Sequence, residues 1–123
     1  MKLANKEILA NTEGLATLLQ EGTPLPAVIS FSVIRNYKNL LPIAEDIEHE
    51  RLKIAQRYGK ETEDGTFYIP EENRETAMQE LNDLSNVTTS VPIMTFSLDK
   101  LSGYDIPLKT MNILYFMVED GEV

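Results

Sequence analysis

The feature that most limits how this chain can fold is a long apolar stripe. Ile29, Val33, Tyr37, Leu40, Leu41, Ala44, Ile47, Arg51, Ile54 and Tyr58 recur three or four positions apart, and only Arg51 interrupts the apolar character. Residues at that spacing share one face of an α-helix, so the stripe predicts an amphipathic helix from about Ser30 to Tyr58. At ~1.5 Å per residue such a helix runs roughly 43 Å, more than a compact domain of this size needs. The part that protrudes is expected to pack on another chain. Pro42 falls inside the stripe. A proline in a helix interior removes a backbone hydrogen bond and crowds the preceding turn, at a cost of ~3 kcal/mol. The expectation is either a kink near Lys38–Leu41 or two helices with a break there.

Shorter elements flank this helix. Residues 5–20 read as a helix, with Asn5 as N-cap, Glu7 in the first turn, and Ile8, Leu15, Leu18 and Leu19 at helical spacing. Gly22 stops it, and Thr23-Pro24-Leu25-Pro26 is extended, because proline disfavours helical geometry in the residue before it. Gly59 reads as a C-cap of the long helix. Lys60 to Thr66 is a polar turn built on Asp64-Gly65. Phe67–Ile69 reads as a strand, and Pro70 opens a helix to about Leu84 with Ala77, Met78, Leu81 and Leu84 as its apolar face. Val87 to Phe96 alternates and is rich in β-branched residues, so it reads as a strand; Pro92 places it at a sheet edge or a bulge. Ser97–Leu101 reads as one helical turn, broken at Gly103. Asp105 caps a last helix whose apolar face is Leu108, Met111, Leu114, Tyr115 and Val118, followed by an acidic tail from Glu119 to Val123.

The fold class expected from this order is α+β and helix-rich. The long helix takes part in a helical hairpin or bundle, and Phe67–Ile69 and Val87–Phe96 form a small antiparallel sheet. With 123 residues, 42% of them hydrophobic, and no internal repeat or linker, residues 1–123 read as a single domain. The absence of cysteine excludes a disulfide framework, a thiol nucleophile and thiolate metal sites. No apolar run approaches the ~18 residues of a membrane span, and the N-terminus has no signal-peptide core.

The net charge is −9 and unevenly placed. Residues 1–58 balance seven acids with seven bases, whereas residues 59–83 hold eight acids against two bases. Binding to a nucleic-acid backbone or an anionic membrane needs the opposite sign, so neither is expected as a partner. A basic protein surface is electrostatically suitable. The exposed carboxylates that would meet it are Glu61, Glu63, Asp64, Glu71, Glu72 and Glu75. A second, apolar contribution comes from Tyr115 and Phe116, because aromatic residues beyond a helix's main stripe signal either burial or a partner. Phe31 and Tyr37 flank the stripe of the long helix in the same way, and a homo-oligomer is a further expectation.

Catalytic patterns are weak. His49, the sole histidine, lies among carboxylates one turn from Glu45, on the wet side of the stripe, and has no second imidazole for a metal site. A calcium loop ending at Glu71 would place Lys60 in its first ligand position, which a lysine cannot fill. The six glycines form no phosphate loop, and no serine stands in a nucleophile motif. No catalytic residue, metal ligand or cofactor is assigned, and the chain is not expected to be an enzyme.

Several stretches together resemble a family of small proteins of bacteriophages and prophages of Gram-positive bacteria. They are the opening Met1-Lys2-Leu3-Ala4-Asn5-Lys6-Glu7-Ile8, Leu25-Pro26 before a helix carrying Asn36 and Leu40, Arg51 with Tyr58-Gly59 leading into Asp64-Gly65, and the close, Leu101 through Ile106 and Leu114 to Glu119. The resemblance covers nearly the whole chain but brings no active-site motif, so no functional residue is carried over. It implies a phage gene product in the cytoplasm of an infected bacterium or in a virion. Two functions follow as expectations. One is an accessory protein that binds a host or defence factor and inhibits it. The other is a virion, tail or assembly component that oligomerises through its helices.

Overall fold

In the computed structural model, which describes residues 1–119, the stripe is one helix, α2, Ala27–Tyr58. It is 32 residues long and runs through Pro42 without dividing, so the two-helix alternative is not realised. The reason is where the proline lies. Pro42 and Lys38, whose carbonyl loses its helical donor, are both exposed positions on the side of α2 away from the core. Water can satisfy that carbonyl, which removes much of the penalty of an interior proline.

α1, Asn5–Glu21, folds back on α2 as a helical hairpin, with Gly22 closing α1 at φ 62. Ile8, Leu15 and Leu18 of α1 meet Ile29, Val33, Leu40, Ala44 and Ile47 of α2 in one cluster. α1 is about half as long as α2, roughly 25 Å against 48 Å, so it cannot cover the C-terminal turns. α3, Glu71–Asn86, packs there instead, with Ala77 fully buried and Ile54 of α2 nearly so. Arg51, which breaks the stripe, is exposed and pairs with Glu48 one turn earlier at 2.8 Å.

The expected single sheet is corrected to two separate two-stranded antiparallel sheets. β2, Lys60–Glu61, pairs with β3, Phe67–Tyr68, as a hairpin. β4 is only Thr88–Ser90, and it pairs with β1, Lys2–Ala4, at the chain start. Leu3↔Thr89 is the central pair, and the ladder extends at both ends: Met1 exchanges bonds with Val91, and the Asn5 N–H donates to the Val87 carbonyl at 2.8 Å. Asn5 is therefore not the N-cap. Ala4 takes that place, its N–H donating to the Glu7 carboxylate at 2.9 Å, while the buried Asn5 side chain donates to the Leu84 carbonyl and accepts from Thr89. Paired backbone at the N-terminus competes successfully with helix capping here.

The rest of the predicted strand, Val91–Phe96, is extended chain held by side chains of α2. Asn36, fully buried, donates to the Met94 carbonyl at 2.9 Å and accepts from the Met94 N–H at 2.8 Å, reproducing with one amide the bonds a strand would supply. Asn39 donates to the Pro92 carbonyl at 3.1 Å. Phe96 then bridges Val118 in parallel. A 3₁₀ turn at Leu98–Leu101, α4 at Leu108–Leu114 and a second 3₁₀ turn at Tyr115–Met117 close the core with Leu101, Leu114 and Met117.

Prolines mark three helix starts. Pro26, Pro70 and Pro107 immediately precede α2, α3 and α4, each with φ between −54 and −59 and ψ near 145–149. A fixed φ and a missing donor cost nothing where the first N–H groups are unpaired anyway. Pro107, not Asp105, is thus the residue bounding α4, and Pro70 stands just outside α3. Two expected apolar faces are also narrower than predicted: Met78 is 67% and Leu108 86% exposed. Gly59 is the C-cap of α2, as expected, its N–H donating to the Ala55 carbonyl at 2.8 Å with the backbone extended and not left-handed. A Cβ there would lie 2.5 Å from the Ala55 carbonyl oxygen and 3.0 Å from that of Tyr68, and this close approach requires the glycine.

Replacing Asn36 with alanine leaves the Met94 groups without their partner and opens a cavity, and is expected to cost about 1–3 kcal/mol in a denaturant titration. Asn39→Ala, at the exposed end of the same segment, is expected to cost under about 1 kcal/mol. Equal costs for the two would refute the assignment of Asn36 as the main tether.

Candidate functional site: an acidic end

The acidic residues singled out above gather where α2 gives way to the β2–β3 hairpin and then to α3. Glu61 ends β2, Glu63 and Asp64 lie in the turn, and Glu71, Glu72 and Glu75 lie on the first two turns of α3. All six are exposed. The junction is held by Asn73, which donates to the Tyr58 carbonyl at 3.0 Å, and by Arg74, which donates to the Ile69 carbonyl at 3.1 Å. The two ends of the hairpin are thereby fixed against α2 and α3, and the five free carboxylates project from a defined scaffold.

Asp64 has a different task from the other five. Its carboxylate accepts bonds from the Thr62 hydroxyl, the Thr66 hydroxyl (2.8 Å) and the Thr66 N–H (3.3 Å), while the Thr62 N–H donates to the Thr66 carbonyl at 2.7 Å. Gly65, at φ 86, supplies the left-handed residue the turn needs. The Thr62 hydroxyl foremost, then Thr66, holds the Asp64 carboxyl below its ordinary value. Its charge serves the turn first. Glu71 and Glu72, in the first turn of α3, also complement the positive end of that helix.

Tyr115 and Phe116 are on another part of the fold. α4 packs against α1, whereas the hairpin packs against α2. Tyr115 is 60% exposed and lines an open groove with Leu108, Lys109, Met111 and Asn112. Phe116 packs on the core and Met117 beside it is fully buried. The carboxylates and the aromatic pair are thus contributed by separate elements. His49 is exposed on α2. Among the described residues no group of three or more His, Asp or Glu side chains is arranged to hold a metal ion, and no helix is long and apolar enough to cross a membrane. The acidic tail named above falls, from residue 120 onward, outside the described residues.

Sequence inspection missed the link that ties α2 to α3 beside this end. Arg57 donates to the Glu80 carboxylate at 2.9 Å and lies 5.8 Å from the centre of the Tyr58 ring. The two residues are 23 positions apart, and nothing in helical spacing relates them.

Because the folded Asp64 value is lowered, its contribution to the turn is complete above the ordinary carboxylate value of 3.8 and is lost as pH falls through the folded value. An NMR titration of the Thr66 amide is expected to show the turn loosening only below pH ~4, and Asp64→Asn to loosen it at every pH. A midpoint above the ordinary value would contradict this account. No protein-family model, no curated protein and no solved structure matches the chain.

Proposed function

We propose that this is a non-enzymatic accessory protein of phage origin that acts by binding another protein through its acidic end, and that it inhibits a host or defence factor bearing a basic surface. The observation that carries the reading is the fixed presentation of Glu61, Glu63, Glu71, Glu72 and Glu75 around a braced hairpin. Residues 59–83 contribute a net −6, and charge of one sign gathered on one part of a surface steers a complementary partner and fixes its orientation. The phage origin is supported by the sequence resemblance alone.

A second reading, a virion, tail or assembly component, is favoured by a different observation. Val28, Phe31 and Ile34 near the start of α2, and Leu108 and Tyr115 on α4, leave apolar side chains 39–86% exposed. Scattered exposed apolar residues are normal, but several on one helix face suit assembly. Mass spectrometry of purified particles separates this reading from the first.

The primary test reverses charge at Glu61, Glu63, Glu71, Glu72 and Glu75 to lysine, leaving Asp64 in place to keep the turn. Affinity purification from a Gram-positive host lysate is expected to give a partner that elutes with salt and is lost with the reversed protein, at helical content unchanged apart from fraying of the first turn of α3. Retention of the same partner by the reversed protein, or the absence of any salt-sensitive partner, overturns the proposal.

A further inference from the structure

The outer face of α2 has its own pattern, beside and away from the core stripe, and Leu41, counted with the stripe by its spacing, is only half-buried and lies on the boundary between the two. Phe31, Ile34, Lys38, Leu41, Glu45, Glu48 and Leu52 recur at alternating spacings of three and four, the seam geometry of paired helices. Phe31 is 55%, Ile34 39% and Leu52 45% exposed, Leu41 is half-buried, and Lys38, Glu45 and Glu48 are exposed. α1 covers the stripe of Ile29, Val33, Leu40 and Ala44 and borders the seam at Ile34, which lines a groove with Leu18 and Leu19; Phe31, Lys38, Glu45 and Leu52 stand exposed.

Its charges are ordered. From Ala27 to Ala44 the helix carries two bases, Arg35 and Lys38, and no acid; then come Glu45, Asp46, Glu48 and Glu50. Glu48 is paired with Arg51 at 2.8 Å and Glu50 with Lys53 at 3.1 Å, leaving Glu45 as the seam carboxylate without an ion pair among the described residues. Read from either end the seam runs apolar, charged, Leu41–Pro42, oppositely charged, apolar. Such a face complements itself only when reversed. About a two-fold axis near Pro42, Lys38 of one copy lies opposite Glu45 of the other, and Phe31 and Ile34 lie opposite the stretch around Leu52. A parallel pairing would set Lys38 on Lys38 and Glu45 on Glu45, which like-charge repulsion disfavours.

We propose that two copies of this chain pair through the outer face of α2 in antiparallel orientation. The same orientation carries the two acidic hairpins to opposite ends of the pair, where their net charges repel least. The seam, Phe31 to Leu52, spans about 32 Å, and its apolar content is modest, so the dimer belongs to the weak class that forms at micromolar concentration. The pairing deepens the oligomerising reading given above by naming the face and direction. It requires no role in particles, so its failure and that reading's failure are separately observable.

The test uses the whole chain, which has no cysteine of its own. Sedimentation equilibrium is expected to show a monomer–dimer equilibrium with a dissociation constant of roughly 1–100 μM. Lys38→Glu alone, and Glu45→Lys alone, are each expected to weaken it about tenfold, and the two together to restore it. Oxidative crosslinking gives the direction. Pro42→Cys near the axis is expected to form a covalent dimer, whereas Gln56→Cys, whose two copies would stand about 42 Å apart, is not. A strict monomer up to ~200 μM, crosslinking of Gln56→Cys as readily as Pro42→Cys, or failure of the charge exchange to restore association each overturns the proposal. Helical content measured on every variant separates lost pairing from lost folding.

Discussion

The structure depends on the contact of α2 with whatever covers its apolar stripe. Ile29 through Ile47 are covered by α1, and Ile54 lies where α3 packs. Because α2 is about twice the length of α1, no single partner helix suffices, and the order of the remaining elements follows from that shortfall. The chain must return along α2 after the hairpin, which brings α3 to its C-terminal half, and then cross back to close the N-terminal half with Val91, Phe96, Leu114 and Met117. Burial of this continuous apolar surface is the dominant favourable term, at roughly 25 cal/mol per Å² removed from water.

Polar groups set the register of that closure. Asn36 is enclosed on α2, yet both ends of its amide are used by the Met94 backbone. Asn5 similarly ties α1 to Leu84 and Thr89. A buried amide left unpaired is costly, so each of these side chains admits one placement of the segment it grips. That explains how the extended stretch from Val91 to Phe96 keeps its place with almost no sheet of its own.

The acidic end was legible as charge before it was legible as shape. Counting acids in residues 59–83 locates it, and Asp64-Gly65 locates its turn. What counting cannot supply is the division of labour: Asp64 is engaged by Thr62 and Thr66, while its neighbours remain available. Nor does it reveal that Phe116 packs on the core while Tyr115, one position earlier, is largely exposed, because the side of α4 that is buried is the one carrying Leu114, followed by Met117, and not the one carrying Leu108 and Tyr115.

Local chemistry determined the helices: a 3.6-residue period in the apolar residues, a proline before three of the four, and a glycine after α1 and α2. These are properties of neighbouring residues and so are written in the sequence. The pairing of Lys2–Ala4 with Thr88–Ser90, the tolerance of Pro42 and the union of Arg57 with Glu80 were decided only by tertiary structure. Each depends on groups far apart along the chain, or on which side of a helix meets water, and a short strand or an interior proline has no stable answer until the core fixes its surroundings.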